Sequence, residues 1–420
     1  MIQKDLVIIG GGSAGMAAAV GAYDAGIRDI LVLEKLPFLG GILNQCIHNG
    51  FGLTEFKEEL TGPEFAARFI TQIEERNIDY RLETTVTDLR KDKTLVYTSE
   101  KEGAVEVQAK AIIMAAGCYE RNAGAIGIPG TRPAGVLTAG QAQLFLNEYG
   151  YLAGHKVFIL GSGDIGLIMA RRLTLEGAKV LGVAEICPWS NGLNRNMVQC
   201  LYDFDIPLYL SHTVSKIIGK KRVEAIEISE VDAKMMAIPG TEKRFDVDTL
   251  VLSIGLIPNN NLLSNIGIPT SRSKGAVVDE NYETPVEGIF SCGNVLHVHD
   301  LVDNVVSEAR DAGKKAARYL KGELHRDGIE TSINAGEGIG YVLPSLLDYP
   351  NAEEKISFKF RVRKPSKNVY IDYYDGDHIV KSVWKPIIIP SEMEIAQLPK
   401  TLFSGTKPIT ISLRQKEGKQ

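Results

Sequence analysis

The sequence has few cysteines, no excess of positive charge and no long apolar run. Its five cysteines are scattered and no two have C-x-x-C spacing, which argues against a disulfide scaffold, a zinc site and an iron–sulfur cluster carried by this chain. The net charge of −5 predicts neither a nucleic-acid partner nor binding to an anionic membrane.

No apolar run approaches the roughly 18 residues that a membrane span needs. The first run, Leu6 to Ile9, has no basic segment before it and is broken by glycines. It therefore predicts a buried strand rather than a signal peptide. We expect a cytoplasmic protein without a membrane span.

The 420 residues allow two or three domains, and short Val/Ile/Leu runs alternate with glycine turns as in βαβ units. The first unit is predicted to hold strands at Asp5–Ile9 and Ile30–Glu34 around a helix over about 13–25, with a further strand at Lys110–Ala116. A second βαβ unit runs from Lys156–Leu160 to Val180–Glu185.

From about residue 329 apolar and polar residues alternate with period two, and Asp375-Gly376 between two such runs predicts a hairpin. The C-terminal part is therefore expected to be a small all-β domain that packs or docks a partner.

The first βαβ unit carries Gly10-x-Gly12-x-x-Gly15 after its strand and before its helix, the context in which this motif binds a dinucleotide. Gly10 permits the turn, Gly12 lets the backbone approach the pyrophosphate, and Gly15 lets helix and strand pack closely. The helix N-terminus offers N–H groups to phosphates, and Glu34 can accept hydrogen bonds from a ribose diol.

The second unit repeats this pattern with Gly161-x-Gly163-x-x-Gly166 and Glu185, again 24 positions after the first glycine. A carboxylate at Glu185 accepts an unmodified 2′-hydroxyl and repels a 2′-phosphate, so NAD is expected rather than NADP. The alternative is a second Rossmann unit that no longer binds a nucleotide.

With these motifs, a strand ending Ala115–Gly117 and the segment Gly288–Asn294, residues 1–325 resemble the pyridine nucleotide-disulfide oxidoreductase superfamily. The resemblance implies FAD at the first fingerprint and NAD at the second. It implies an α/β fold with two Rossmann-like domains of the glutathione/thioredoxin reductase type plus the C-terminal β domain. The expected boundaries are 1–121 with 270–325 for FAD, 122–269 for NAD and 329–420 for the β domain.

The resemblance also implies the cofactor contacts. For FAD these are Gly10, Gly12, Ser13, Ala14, Gly15, Glu34, Lys35, Gly41, Ile42, Ala116, Gly117, Gly293, Asn294 and Asp303. For NAD they are Gly161, Gly163, Asp164, Ile165, Gly166, Glu185 and Gly255. Asn294 stands where the superfamily has an aspartate that binds the ribityl chain, so this contact is expected to be weaker.

Longer segments resemble narrower groups. Ala116–Arg121, Ile128–Gly130 and Pro133–Gln143 are similar to FAD subunits of opine oxidases, hydrogen cyanide synthase and dye-linked proline dehydrogenases. Asn44–Gly52 and Gly293–Asp303 resemble bacterial oxidoreductases that accompany glycerol-3-phosphate dehydrogenase. That resemblance implies a hetero-complex with a small cysteine-rich protein and a glycerol-3-phosphate dehydrogenase-like flavoprotein subunit.

Cys46 and His48 follow Gly40-Gly41, where disulfide reductases of this superfamily carry a redox cysteine pair. The position of the flavin-proximal cysteine falls on His48, so disulfide chemistry is expected to be absent. Cys46 and His48 are candidate catalytic residues beside the flavin, with His48 donating a hydrogen bond or a proton. The alternative is that they only pack and orient this loop.

His297, His299 and Asp300 raise the question of a metal site. In a His-x-His segment after a strand the two rings are expected to point in different directions unless the backbone stays extended, and no third soft ligand is nearby in sequence. The sequence therefore predicts no metal. The loop is instead expected to lead into a helix from about Val302, whose N-terminus stabilises anionic reduced flavin.

Four functions remain open at this stage. The first is an FAD subunit that exchanges hydride with NAD(H) in a glycerol-3-phosphate dehydrogenase-type complex, and the second is an FAD subunit of an amino-acid or opine dehydrogenase. The third is a stand-alone NADH oxidase or diaphorase. The fourth is a structural subunit with FAD as a stabiliser.

Overall fold

The computed structural model describes residues 1–324, 326 and 330–416. Backbone contacts divide it into two units, one of residues 1–118 with the described residues from 258 onward, the other Tyr119–Ile257. The predicted α/β fold class is confirmed, with one parallel sheet in each unit. The three predicted domain ranges stay predictions, and their boundaries at 325 and 329 and the chain end lie outside the described residues.

The first unit is built on a parallel sheet whose central strands are buried at their carboxyl ends, at Leu6–Ile9, Ile30–Leu33 and Ala111–Met114. Its order is Asp79–Arg81, Ile30–Leu33, Ile2–Ile9, Gly103–Met114 and Ile289–Ser291. Ile9 lies beside Leu33 and Met114, so the carboxyl ends of these strands share one edge. The Gly103–Met114 strand begins earlier than the predicted Lys110 because its first half pairs antiparallel with Thr94–Ser99, which pairs with Thr84–Leu89.

Three long helices cover this sheet: Ser13–Asp24, Gly62–Glu75 and Val302–Leu320. The second begins with a capping box in which Thr61 and Glu64 bond each other's backbone N–H groups. The first and third lie unusually close: a Cβ on Gly21 would be 2.3 Å from the Arg310 carbonyl oxygen, and one on Gly313 would be 2.1 Å from that of Ala18. Shorter elements are Gly41–Gln45, Asn49–Phe51, Leu60–Thr61, Asn261–Asn265 and Gly293–Val295.

The C-terminal part of the first unit is all β, as predicted. One sheet has the order Leu346–Asp348, Glu330–Ala335, Ile409–Gln415, Ser366–Asp375 and His378–Ile388, and the other has Ile339–Leu343, Lys355–Val362 and Glu394–Pro399. Side chains of both sheets form one core, in which the rings of Phe358 and Tyr373 lie 6.1 Å apart. The predicted hairpin at Asp375-Gly376 is confirmed, with Gly376 at φ 61°.

The second unit repeats the parallel architecture. Its sheet order is Val136–Thr138, Thr249–Leu252, Lys156–Leu160, Lys179–Glu185 and Leu208–Leu210. The helices are Ala123–Ile126, Ala139–Asn147, Asp164–Leu175 and Asn194–Cys200, with a short turn of helix at Tyr202–Phe204. An antiparallel sheet of His212–Gly219, Val223–Glu230 and Lys243–Phe245 completes the unit. Short strands at Cys118–Glu120 and Leu256–Pro258 mark where the chain passes between the units.

Across the described part of the chain, no helix combines the length and apolar character that crossing a membrane requires.

Candidate functional site

The glycines of the first fingerprint have three distinct surroundings. A Cβ on Gly10 would lie 2.5 Å from the Ala115 carbonyl oxygen, and one on Gly15 would lie 1.8 Å from that of Gly10. Around Gly12, by contrast, a Cβ would meet none of the described atoms within 4 Å. Gly10 and Gly15 therefore allow the protein to pack against itself, while Gly12 leaves open space for a ligand, as its predicted role requires.

Helix Ser13–Asp24 begins directly at this opening. Its N-cap, Gly12, provides no side-chain hydrogen bond, and the first turn has no acidic residue. No side chain at the N-cap therefore accepts a hydrogen bond from the first N–H groups of the helix. The positive end of the helix dipole faces the opening. This arrangement suits a phosphate group.

Glu34 is buried at the end of the neighbouring strand. One carboxylate oxygen accepts a hydrogen bond from Gly11 N–H at 2.7 Å, and the other accepts one from Leu36 N–H at 2.8 Å. A carboxylate has about four acceptor sites. The two backbone bonds orient Glu34 and leave lone pairs for the hydroxyl groups of a ribose.

Several other predicted FAD residues gather at the same sheet edge. A Cβ on Gly41 would lie 3.2 Å from the Gly12 Cα, and one on Gly293 would lie 2.6 Å from the Ala14 Cβ. Gly117 has φ 66° with no described atom within 4 Å of its Cβ position, and it follows Ala116 at the end of the central strand. Lys35 and Ile42 are exposed.

Asn294 and Asp303 use their oxygens within the protein. Asn294 Oδ1 accepts hydrogen bonds from the backbone N–H of His299 at 3.1 Å and from its ring Nδ1 at 3.2 Å. Asp303, in the first turn of the helix that begins at the predicted Val302, accepts N–H bonds from Gly52, Thr54 and Glu55. Asp303 therefore fixes the loop after His48 to this helix, and a contact of either side chain with FAD stays a prediction.

The first glycine of the second fingerprint packs against a backbone carbonyl oxygen, as Gly10 does in the first. A Cβ on Gly161 would lie 2.0 Å from the Ser253 carbonyl oxygen, and one on Gly166 would lie 2.6 Å from the Ser253 Cβ. At Gly163 the nearest atom would be 3.3 Å away. Helix Asp164–Leu175 again lacks a side-chain cap at its N-cap.

Glu185 matches Glu34 in position and bonding. Its Oε2 accepts from Ser162 N–H at 2.9 Å and Ser162 Oγ–H at 2.6 Å, and its Oε1 accepts from Cys187 N–H at 2.9 Å. Asp164 differs from its counterpart Ser13, because its carboxylate accepts from Leu193 N–H and the Asn196 amide. Ile165 follows it in the helix, and Gly255, at φ 100°, has no atom of the described chain within 4 Å of its Cβ position.

Cys46 and His48 lie on the loop between Gly41 and the hairpin at Asn49–Phe51. The Cys46 thiol donates to the Ile42 carbonyl oxygen at 3.3 Å. Burial raises the pKa of Cys46 to about 12, so the group is a neutral thiol at neutral pH and a poor nucleophile. The His48 ring lies 5.0 Å from that of Phe51. The catalytic role of both residues stays a prediction.

The expectation that the rings of His297 and His299 point apart is wrong. Their centroids lie 4.1 Å apart, and both rings face Glu308. Both rings turn toward the buried carboxylate of Glu308, one oxygen of which lies 2.9 Å from His297 Nε2 and 3.4 Å from His299 Nε2. Lys359, from a strand of the β region, completes this histidine–glutamate cluster of His297, His299, Glu308 and Lys359.

Sequence reasoning missed the residues that support these sites. Gly11 and Ser162 occupy the same motif position and bind the two carboxylates, and they could have been identified from the repeat. Glu308 could have been noticed because it lies on the buried face of an amphipathic helix, next to Val305 and Ala309. Nothing in the sequence connects Lys359 with it across 51 residues.

Both openings fit a dinucleotide. Each combines a fingerprint glycine at the N-cap of a helix, no side-chain cap at that N-cap, and a buried carboxylate at the end of the adjacent strand. The space at Gly12 is open, whereas at Gly163 a Cβ would lie 3.3 Å from Ser253 Oγ. These are the parts that hold a pyrophosphate and a ribose in this class of fold.

Comparison with known proteins agrees with this geometry. Residues 4–335 match the family model described as pyridine nucleotide-disulphide oxidoreductase. An opine oxidase subunit of Agrobacterium tumefaciens is 26% identical over 316 residues, which are 69% of this chain and 61% of that protein. Hydrogen cyanide synthase subunit HcnB of Pseudomonas protegens is 26% identical over 70% of this chain and 64% of its own length. The chain thus spans about three fifths of the length of these curated relatives.

Among solved structures, thioredoxin reductase of T. acidophilum is similar with a TM-score of 0.61 and 22% identity, covering 77% of this chain and 99% of its own. At this identity the similarity shows the fold. It confirms the α/β fold of the thioredoxin reductase type expected from the sequence.

Proposed function

The chain belongs to the pyridine nucleotide-disulphide oxidoreductase family, and from this premise we propose that it exchanges a hydride between NAD(H) and FAD and relays electrons to or from a partner subunit. Members of the family are FAD-dependent oxidoreductases that bind NAD(P). One observation carries the proposal: two fingerprints, each with a backbone N–H bound to a buried carboxylate 23 residues away.

The first site is the proposed FAD site. Gly12 and the N-terminus of helix Ser13–Asp24 would hold the pyrophosphate, and Glu34 would accept hydrogen bonds from the ribose. When bound, FAD supplies two-electron hydride chemistry. The protein needs only to bind and orient the reactants for such a transfer, which fits the lack of a catalytic triad or carboxylate pair in the sequence.

The second site is proposed to prefer NAD(H) over NADP(H). Glu185 is buried and already satisfied by three donors, so the protein orients a negative charge where a 2′-phosphate would lie. Bringing another negative charge there is unfavourable. We expect NADH to be favoured by on the order of tenfold or more, which corresponds to about 1.4 kcal/mol.

Electron transfer between FAD and the substrate is proposed to use another protein. None of the five cysteines forms a disulfide, and the Cys46 thiol is held neutral by its raised pKa, so disulfide exchange on this chain is disfavoured. The resemblance of Asn44–Gly52 and Gly293–Asp303 favours a glycerol-3-phosphate dehydrogenase-like flavoprotein, with a small cysteine-rich protein in the same complex. The second candidate is an FAD subunit of an amino-acid or opine dehydrogenase, favoured by the similarity to the opine oxidase subunit over 69% of the chain.

Purification from the native host with identification of co-purifying chains tests the partner. A glycerol-3-phosphate-oxidising flavoprotein supports the first candidate, and an amino-acid or opine oxidase subunit supports the second. A purified chain that binds FAD but is reduced by neither NADH nor NADPH would contradict hydride exchange itself.

A further inference from the structure

The histidine–glutamate cluster contains a charge arrangement that the proposed function does not yet use. Glu308 is its centre and its side chain is 1% exposed. One carboxylate oxygen accepts from Gly293 N–H at 2.9 Å. The other lies 2.9 Å from His297 Nε2, 2.6 Å from Lys359 Nζ and 3.4 Å from His299 Nε2. Burial raises the pKa of Glu308, but the charge of Lys359 and the two imidazoles together hold it well below its usual value.

The bonding of His297 defines its tautomer. Its Nε2 carries the hydrogen, because it faces a carboxylate at hydrogen-bond distance, and its Nδ1 is then an acceptor for the Tyr341 hydroxyl at 3.2 Å. Burial, with the charge of His299, lowers the pKa of His297 to about 4. His297 is therefore a neutral ring with both nitrogens satisfied.

His299 is in a different situation. Its Nδ1 must carry a hydrogen, since Asn294 Oδ1, which it faces at 3.2 Å, can only accept. Its buried Nε2 has no hydrogen-bond partner among the described residues, although it points at the Glu308 carboxylate. In the neutral ring this nitrogen would present a lone pair to a carboxylate oxygen, which is repulsive. A proton on Nε2 converts the same contact into a charge-assisted hydrogen bond.

A proton fits this position better than a metal ion. The donor atoms of His297, His299 and Glu308 lie within 4.8 Å of one another, a spacing that a metal ion can bridge. However, Lys359 already places an ammonium group on the same Glu308 oxygen, and Gly293 N–H occupies the other. A divalent ion would have to share that oxygen with a buried positive charge.

None of the other charged and titratable groups described around the cluster forms a hydrogen bond with His299 Nε2. Tyr282 bonds Lys359 at 3.2 Å, and Asp300 lies 3.7 Å from Arg361. With Glu308 and Lys359 opposite in charge and His297 neutral, the cluster has no net charge when His299 is neutral. It has a charge of one positive unit when His299 is protonated.

We propose that His299 is a positioning residue of the FAD site, which takes up one proton on Nε2 against Glu308 when the bound FAD is reduced, while its Nδ1–H fixes Asn294. This inference rests on the proposed function for the hydride source. Bound FAD would gain a hydride, and with it one unit of negative charge, as NADH becomes NAD⁺; a protonated His299 would offset that charge. The proton on His299 comes from solvent, so the only bond formed on the protein is N–H.

The test is a potentiometric titration of the FAD-loaded protein with a chemical reductant, repeated across pH. It does not use NADH, so a protein that fails to accept hydride from NADH can still support or refute the role of His299. For a two-electron couple, each coupled proton changes the midpoint potential by about 30 mV per pH unit. If reduction of FAD is coupled to this additional proton, the wild-type slope should be steeper by about that amount than the slope of His299→Gln.

His378→Gln is the matched control, because His378 is exposed on an edge strand of the β region. It should keep the wild-type slope. Parallel slopes for wild type and His299→Gln would overturn the proposal.

A second measurement covers the case in which His299→Gln does not fold. Nitrogen NMR of ¹⁵N-histidine-labelled wild-type protein should show the His299 Nε2 becoming protonated on chemical reduction at constant pH, while His378 stays unchanged. An unchanged His299, or a stoichiometric metal ion found in the purified protein by elemental analysis, would contradict the proposal.

Discussion

Replacing Gly12 by alanine should separate FAD binding from folding. The Cβ of the new residue would meet no described protein atom within 4 Å, and Gly12 has φ −76°, which alanine adopts without strain. The added methyl group lies in the space through which the pyrophosphate must approach the backbone. The protein itself is therefore undisturbed, while the ligand is displaced from the helix N-terminus.

The magnitude follows from these contacts. Hydrogen bonds to charged groups contribute about 1.5–3 kcal/mol each, and displacement of the phosphate loses at least one of them. We expect FAD affinity to fall by about 100-fold, or about 2.7 kcal/mol. The stability of the FAD-free protein should change by less than about 1 kcal/mol, since an unstrained glycine-to-alanine change has small effects.

Two other glycines provide the controls. Gly15→Ala should prevent folding or destabilise the protein by several kcal/mol, because its Cβ would lie 1.8 Å from the Gly10 carbonyl oxygen. Gly163→Ala alters the equivalent position of the second fingerprint and should weaken NADH binding while leaving FAD affinity unchanged.

Calorimetric titration of the FAD-free protein with FAD, together with thermal unfolding without ligand, measures both quantities. Wild-type FAD affinity in a folded Gly12→Ala protein would refute the assignment of this fingerprint. A Gly12→Ala protein that loses stability as severely as Gly15→Ala would refute the structural reasoning.

Three further predictions concern single side chains. Glu185→Gln should reduce the preference for NADH over NADPH about tenfold, measured by titration with both, and an unchanged ratio would contradict the charge argument. Cys46, with its pKa raised to about 12, should be alkylated at pH 8 on the order of 10³-fold more slowly in the folded than in the unfolded protein. Rapid modification of the folded protein, detected by mass spectrometry, would contradict the raised pKa of Cys46. Lys359→Met should destabilise the protein by about 3–5 kcal/mol in chemical denaturation because it leaves Glu308 buried without its partner. The pKa of Glu308 is lowered in the folded protein, so its contribution to stability is present above its unfolded pKa and is lost as the pH falls through its folded pKa. Wild type should therefore stay folded to a lower pH than Lys359→Met.

Sequence predicts those parts of the molecule well in which the residues that form a site or a turn lie close together in the chain. The 24 positions from Gly10 to Glu34 span one turn, one helix and one strand, and the same elements lie between Gly161 and Glu185. The two carboxylates accordingly occupy equivalent positions and bind equivalent N–H groups. The Asp375-Gly376 hairpin was predictable for the same reason, because its turn chemistry and its flanking alternation are adjacent in the chain.

The histidine–glutamate cluster was not predictable, because tertiary packing alone assembles it. Lys359 contacts Glu308 from a strand of the β region, and no periodic pattern in the sequence predicts that contact. The His299 ring is directed at the same carboxylate, 3.4 Å away on a separate helix. Asp303 likewise reads as a cofactor contact in sequence, whereas in the structure three backbone N–H groups of a distant loop bind it.

Anaerobic rapid mixing of the FAD-loaded chain with NADH measures the proposed hydride exchange itself. We expect the visible absorbance of the oxidised flavin to be lost with NADH and more slowly with NADPH, and the loss with NADH to be impaired in Gly163→Ala. Flavin that stays oxidised with both nucleotides, in a protein that a chemical reductant reduces fully, would contradict hydride exchange between the two sites.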